Sequence, residues 1–471
     1  MVFTSYQYLL IFLPIVAFLF FLSKNKRQCL YTIILASLVF YYTWGGYTYL
    51  SLLLFSLFFN FFITKYGIKK FRGSKLPVAF GVIVNIGLLG YFKYTNFFID
   101  NFNLVFGLSI EIGRIVLPLA ISFYTFQQIA WLIDNYKNEA PECDFVEYAC
   151  AVLFFPHLIA GPIVQYHDLV PQLNTIKKAV DYKLILNGLF LIGVGCFKKA
   201  YIADYISFYV DFWYNDYLAL NAYKAWLAVL GYASQIYFDF SGYCDIAIGS
   251  ALLFGVTLPA NFNDPYKATS IQDFWRRWHI TLGYFLTKYV YIPLGGNRKG
   301  NRRTLINIFL MLCISGLWHG AGLTFVIWGA LHGAAMVIHR LYSKAERKIV
   351  LNKYLSIFIT FVAVLLFWIV FRANNLECAW SMFTNLFSGN LPTGVSWEAK
   401  TGFDMHDLRP FIYMLIFSYL VIYFTPKAQD LFDKYSEKFP VILAVAAIGL
   451  IWISLYKIIS NSYTTFIYFN F

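Results

Sequence analysis

Ile357-Phe358-Ile359-Thr360-Phe361-Val362-Ala363-Val364-Leu365-Leu366-Phe367-Trp368-Ile369-Val370-Phe371 contains no charged side chain and is bracketed by Lys353 and Arg372. As a helix rising 1.5 Å per residue it covers most of a bilayer's ~30 Å hydrocarbon core, and its basic flanks suit the head-group level. Similar runs occur at Tyr8–Leu22, Tyr49–Ile63, Val78–Phe92, Leu117–Ile133, Leu323–Ile338, Ile412–Phe424 and Val441–Leu455. The whole chain is 60% hydrophobic, 21% aromatic and only 13% charged. The pattern predicts an all-α polytopic integral membrane protein with about 11–13 hydrophobic segments, some re-entrant, around a central funnel. Tyr6–Ser23 is preceded by no basic residue and followed by Lys24, Lys26 and Arg27, so it is expected to stay as the first helix.

A net charge of +13 would suit nucleic acid, but the basic residues fall in short loops between apolar runs, as the positive-inside rule describes. No nucleic-acid partner is expected; membrane lipids are. Clusters at Lys24–Arg27, Lys65–Lys75, Arg340–Lys353 and Lys427–Lys438 predict cytoplasmic loops. Asn374–Arg409, with Glu377, Glu398, Asp404 and Asp407 against Lys400 and Arg409, predicts an external one, and both termini are expected outside. The seven cysteines lack CxxC spacing and read as small core residues.

No linker or repeat divides the sequence, so residues 1–471 read as one membrane domain. Residues 1–110 carry few buried charges and read as scaffold. Residues 115–340 form the expected catalytic core, because they hold nearly all the intramembrane polar groups, among them Gln127, His157, Asp204, Asp239, Asp245, His279, His319 and His332. Breaks at Gly161-Pro162, Leu258-Pro259, Asp264-Pro265 and Ile292-Pro293 survive at membrane depth only where protein or a water-filled cavity satisfies the released backbone. Between Pro259 and Arg303 eight basic residues face two acidic ones. That excess suits either a surface receiving an anionic ligand or contact with lipid head groups.

Within this zone, Gln272-Asp273-Phe274-Trp275-Arg276-Arg277-Trp278-His279 concentrates the polar chemistry. If Ile271–Phe285 is one helix, Gln272, Arg276, His279 and Gly283 share a stripe, setting a guanidinium beside an imidazole. Trp275 and Trp278 then either anchor the helix at the interface or wall a ligand slot. The same segment also reads as an interfacial amphipathic helix with no ligand. His319 lies in Ser315-Gly316-Leu317-Trp318-His319-Gly320, where glycines admit substrate or backbone close to its ring, and a neutral imidazole in a water-poor site serves as a general base. His332 is a weaker supporting candidate. Asp239 and Asp245 are expected as partners of the Arg276/Arg277 region, with cation transport as the rival reading. No HxxxH or Cys/His cluster suggests a metal, and no GxSxG elbow suggests a serine hydrolase.

These stretches resemble the membrane-bound O-acyltransferase family, in its bacterial polysaccharide O-acetyltransferase branch. The resemblance is carried by Leu117–Gln127, Phe155–Ile163, Asp239–Asp245, Phe274–His279, Tyr291–Gly296 and Gly316–Gly320, in that order. It implies His319 as the principal catalytic histidine and His279 as a supporting or donor-binding one. It further implies an acetyl donor, acetyl-CoA by expectation, entering from the cytoplasm at a mouth formed by Arg276, Arg277, Trp275 and Trp278. A multi-pass protein of the bacterial cytoplasmic membrane would then pass the acetyl group outward to an extracytoplasmic acetyltransferase partner, and through it to a polysaccharide such as peptidoglycan or alginate. D-alanyl transfer to teichoic acid, or an anion transporter or flippase, are the alternatives. Tyr463–Phe471 carries no charge and resembles tails in this branch, so it is expected either to anchor at the interface or to dock at the outer mouth, with Tyr468 as an acyl relay.

Overall fold

The structure, a computed structural model, describes residues 2–159, 161–176, 181–346, 351–388, 407–460 and 466–467. The run around Val364 becomes helix Lys353–Arg372, started by the Asn352 side chain accepting from the Tyr354 amide and closed by Arg372 in its last turn. Mean hydropathy reaches 2.6 in this helix. Lys26–Ile68, Leu76–Phe106, Tyr182–Asn215, Leu323–Lys344 and Pro440–Ser460 are also long and apolar enough to cross a membrane. That makes six among the described residues, or seven if the bent pair Arg409–Phe424 and Ala428–Tyr435 is one span. There are no strands among these residues, only an isolated bridge between Phe262 and Trp278.

The expected 11–13 hydrophobic segments include shorter and broken ones, such as the apolar helix Gln7–Leu22, beside these long helices. The Tyr49–Ile63 run is the second part of Lys26–Ile68, whose 43 residues are two helices joined at a kink where Gly46 takes φ 63°, roughly 65 Å of helix and more than one bilayer crossing. Ile121–Tyr136, from the Leu117–Ile133 run, buries 14 of its 16 residues. A helix apolar or buried all round belongs to a protein interior as readily as to lipid.

The described residues cluster into two compact units, each discontinuous in sequence, and the boundary cuts through the 115–340 stretch. The first comprises Met1–Gly195, Tyr243–Ala260 and Phe432–Asn461. Its core holds Phe3, Tyr8, Phe12, Phe40 and Phe155 in mutual ring contact, and the Tyr8 hydroxyl donates to Ser250 Oγ at 2.7 Å. Asn60 and Asn85 exchange amide hydrogen bonds. His157 is spent structurally, between Gln127 Nε2 at 2.9 Å and the Ala151 carbonyl at 3.1 Å.

The second unit comprises Cys196–Gly242, Asn261–Leu431 and Ser462–Phe471. It is organised around a helical hairpin, Gly300–His319 and Leu323–Lys344. Glycine lets these backbones touch: a Cβ on Gly316 would lie 2.2 Å from the Phe325 carbonyl, and one on Gly329 2.5 Å from that of Leu312. Small residues at such crossings give membrane helices the van der Waals contact that lipid cannot supply.

Candidate functional site

His319 is the last residue of its helix, where the hairpin turns through Gly320, Ala321 and Gly322. A Cβ on Gly320 would strike the Phe325 ring at 2.1 Å, so glycine here lets an aromatic close over the turn. The His319 ring meets Trp328 edge-on at 5.1 Å, Phe371 at 5.4 Å and Trp318 at 5.0 Å between centroids. The His279 ring is 6.3 Å away. Both histidines are buried, at 3% and 0% exposure.

His279 arrives there by a route the helical stripe did not anticipate. Ile271–Phe285 is not one helix: Ile271–Arg277 ends, Trp278 is extended, His279 takes φ 46°, and Ile280–Leu286 begins. A left-handed non-glycine residue costs about 1–3 kcal/mol and persists only where its surroundings hold it. Here they do. The Ile280 amide donates to the Asn261 carbonyl at 3.0 Å, and the Asn263 amide to the Arg277 carbonyl at 2.9 Å. Asn261 Oδ1 accepts from the Thr281 amide at 3.2 Å, from Thr281 Oγ1 at 3.0 Å and from His279 Nδ1 at 3.1 Å. With the amide oxygen fixed by the Thr281 donor, His279 carries its proton on Nδ1 and its lone pair on Nε2.

The break separates residues that the stripe would have joined. Arg276 is exposed while His279 is buried. Arg277 donates to Asp273 Oδ1 at 2.8 Å and to the Asn263 carbonyl at 3.4 Å. Burial works to raise the Asp273 pKa, but the hydrogen bonds from Arg277 and the Thr269 amide, with the nearby charges of Arg277 and Arg276, together outweigh it and leave the carboxyl below its usual range. Trp275 donates from Nε1 to His332 Nδ1 at 3.2 Å, and Trp278 stacks on Phe274 at 5.7 Å. His332 also meets Trp328 at 4.8 Å, so it braces the indole that lies against His319.

Asp239 is not a partner of the arginines. It pairs with Lys199 at 2.5 Å, and Lys199 also reaches Asp204 at 2.6 Å. Asp245 belongs to the first unit. Lys199 and Asn261 escaped the sequence reading. The signal for Lys199 was an ammonium in an apolar helix near intramembrane carboxylates; Asn261 carried none, since its role needs the fold.

A cavity of about 650 Å³ opens in the second unit. Lys199, Asp204, Asp239, Phe371 and Arg372 line it, with Ala321 and Gly322 from the turn that follows His319. Arg372 pairs with Asp211 at 2.6 Å across the same wall. Ile467 lines it too, its amide donating to Asp239 Oδ2 at 2.8 Å. Tyr468, the expected relay, and the acidic loop at 389–406 lie outside the described residues. The arrangement brings two buried imidazoles together among aromatic rings in the unit that holds the polar cavity, and imidazoles are the side chains that most often move protons to and from a hydroxyl.

Residues 140–380 match the sequence profile of MBOAT, the membrane-bound O-acyltransferase family. The chain is 39% identical to the peptidoglycan O-acetyltransferase of Helicobacter pylori, over 100% of this chain and 98% of that protein. It is 40% identical to a probable alginate O-acetylase of Pseudomonas aeruginosa, over 82% of this chain and 75% of the other. The teichoic acid D-alanyltransferase of Bacillus subtilis is 28% identical over 49% of this chain and 60% of its own length.

Proposed function

The chain belongs to the membrane-bound O-acyltransferase family, and from that premise we propose that it carries acetyl groups from acetyl-CoA across the bacterial cytoplasmic membrane for O-acetylation of a cell-envelope or exported polysaccharide. It is a multi-pass membrane O-acyltransferase. The observation that carries the reaction is the pair of buried histidines, ring centroids 6.3 Å apart, in the unit that holds the polar cavity.

In the proposed step His319 takes the proton of an acceptor hydroxyl as its oxygen bonds to the thioester carbonyl carbon. The tetrahedral oxyanion then collapses, the carbon–sulfur bond breaks, and the imidazolium returns the proton to the departing thiolate. Acetyl has moved from sulfur to oxygen, and no redox change is involved. His279, with its lone pair on Nε2, accepts or shares a proton in the same pocket. Donor phosphates would meet the basic surface from Lys267 to Arg303 at the cytoplasmic face, where exposed Arg276 offers a planar fork for them. Outside, the group would pass to an extracytoplasmic acetyltransferase partner, with Tyr468 as a candidate acyl carrier. The relatives named for peptidoglycan and alginate favour that class of polymer. D-alanyl transfer has weaker support, since its relative aligns with only 49% of this chain.

The test is purified protein in nanodiscs with acetyl-CoA labelled in its acetyl group. Cleavage of the thioester by the wild type and its loss in His319→Ala are expected. Intact acetyl-CoA with the wild type would instead fit a transporter and end the proposal.

A further inference from the structure

Lys199 sits on a π-helical turn, Lys198–Ala203, immediately before helix Asp204–Asn215. Such turns are uncommon and concentrate at functional positions. This one lowers the Lys199 ammonium between Asp204, in the first turn of the next helix, and Asp239. Lys199 and Asp239 have side-chain exposures of 3% and 2%. Lys199 divides its ammonium between two carboxylates, and a buried carboxylate needs donors for its remaining lone pairs. Asp239 Oδ2 obtains one from the backbone amide of Ile467. Beside it Phe466, 2% exposed, packs on Phe240 at 5.6 Å, and Phe240 also meets Phe262 at 5.0 Å and the His279 ring, edge-on, at 4.8 Å. Ile467, 6% exposed, is itself part of the cavity wall.

We propose that Asp239, held by Lys199, is a positioning residue that latches the chain at Ile467 into the cavity wall, with Phe466 seated on Phe240. The latch grips a backbone amide, so it is indifferent to the side chain it holds but requires an N–H. It acts on delivery of the acyl group to the acceptor, which meets the cavity wall, and leaves the thioester-cleaving imidazoles in place. The inference rests on the proposed transfer reaction for its activity arm only.

Two measurements on the full chain in nanodiscs and in cells decide it. In a background with the half-exposed Cys143 and Cys313 changed to serine, Phe466→Cys is expected to resist a thiol reagent. Adding Asp239→Ala or Ile467→Pro should make it react quickly; unchanged shielding in both would overturn the latch, whatever the reaction proves to be. For function, Ile467→Pro removes the donor while Ile467→Ala keeps it. Acetate released by base from cell-envelope polysaccharide should fall roughly tenfold or more in Ile467→Pro, the weight of one charge-assisted hydrogen bond. Acetyl-CoA cleavage should be retained in Ile467→Pro, and Ile467→Ala, which keeps the N–H, should lose much less polymer acetylation than Ile467→Pro. Equal polymer acetylation in the proline and alanine variants would overturn the proposal, as would an equal loss in both, which would assign the effect to side-chain packing. Wild-type protein that leaves acetyl-CoA intact would refute the reaction and leave the labelling arm to judge the latch.

Discussion

The two histidines reach one pocket by opposite means. His319 ends a 20-residue helix whose partner in the hairpin packs on it through Gly316 and Gly329, so its position follows from regular structure. His279 stands at a left-handed break between two seven-residue helices, held by Asn261, 18 positions earlier. Periodicity and glycine spacing are local properties, so they predict the first kind of site. The second depends on a side chain distant in sequence that competes with helix propagation and wins, so a pattern of period 3.6 misplaces it.

The largest effect should come from the regular side of this comparison. His319→Ala is expected to lower acetyl-CoA cleavage and polymer acetylation by about 10²–10⁴-fold, the usual worth of a general base. Membrane insertion and thermal stability should stay close to wild type, because the change removes chemistry at a helix end and leaves the glycine crossings intact. Near-normal acetylation would move the base to His279 and reverse the ranking of the two.

The irregular side predicts a smaller but sharper signature. Asn261→Ala removes the acceptor of three hydrogen bonds, each worth about 0.5–1.5 kcal/mol net. A loss of roughly 10–100-fold in kcat is expected if His279 loses its fixed tautomer, with Asn261→Asp, which keeps an acceptor oxygen, retaining more activity. If Asn261→Ala turns over at the wild-type rate, the backbone bonds alone hold the break and the tautomer is immaterial.

Glycine offers a third contrast, now in stability. A Cβ at Gly316 would lie 2.2 Å from a backbone oxygen, whereas one at Gly283, in the broken segment, meets nothing closer than the Trp275 carbonyl at 3.7 Å. Gly316→Ala should therefore destabilise by about 1–3 kcal/mol, as overpacking does. Gly283→Ala should be neutral or gain up to about 1 kcal/mol from helix propensity. Thermal denaturation in detergent reads both, and equal midpoints would show that the hairpin yields where close packing says it cannot.

The same division governs what was legible beforehand. The membrane class followed from apolar runs such as Ile357–Phe371, and His319 with its glycines followed from one short stretch. Which runs are enclosed did not, because a hydrophobic run looks alike whether much of it stays at the protein surface, as in Lys353–Arg372, or is buried like Ile121–Tyr136. The partner of Asp239 did not either. The motif drew attention to the arginines after Asp273, while the nearer cation in space was Lys199, brought there by a π-helical turn that no propensity announces.

Arg276 supplies the smallest and most discriminating test. Had Ile271–Phe285 been one helix, Arg276 and His279 would share a face, and removing the guanidinium would disturb the chemistry at the imidazole. The break at Trp278 and His279 turns the arginine out to the surface and the histidine into the pocket. Arg276→Gln should then raise the KM for acetyl-CoA only a few-fold, since an exposed ion pair is worth about 0–1 kcal/mol, and leave kcat unchanged. The difference from wild type should shrink as ionic strength rises, because salt screens exposed charges over ~10 Å at 0.1 M. A fall in kcat with KM unaltered would mean that guanidinium and imidazole act together after all, and that the break closes into a continuous helix when the donor binds.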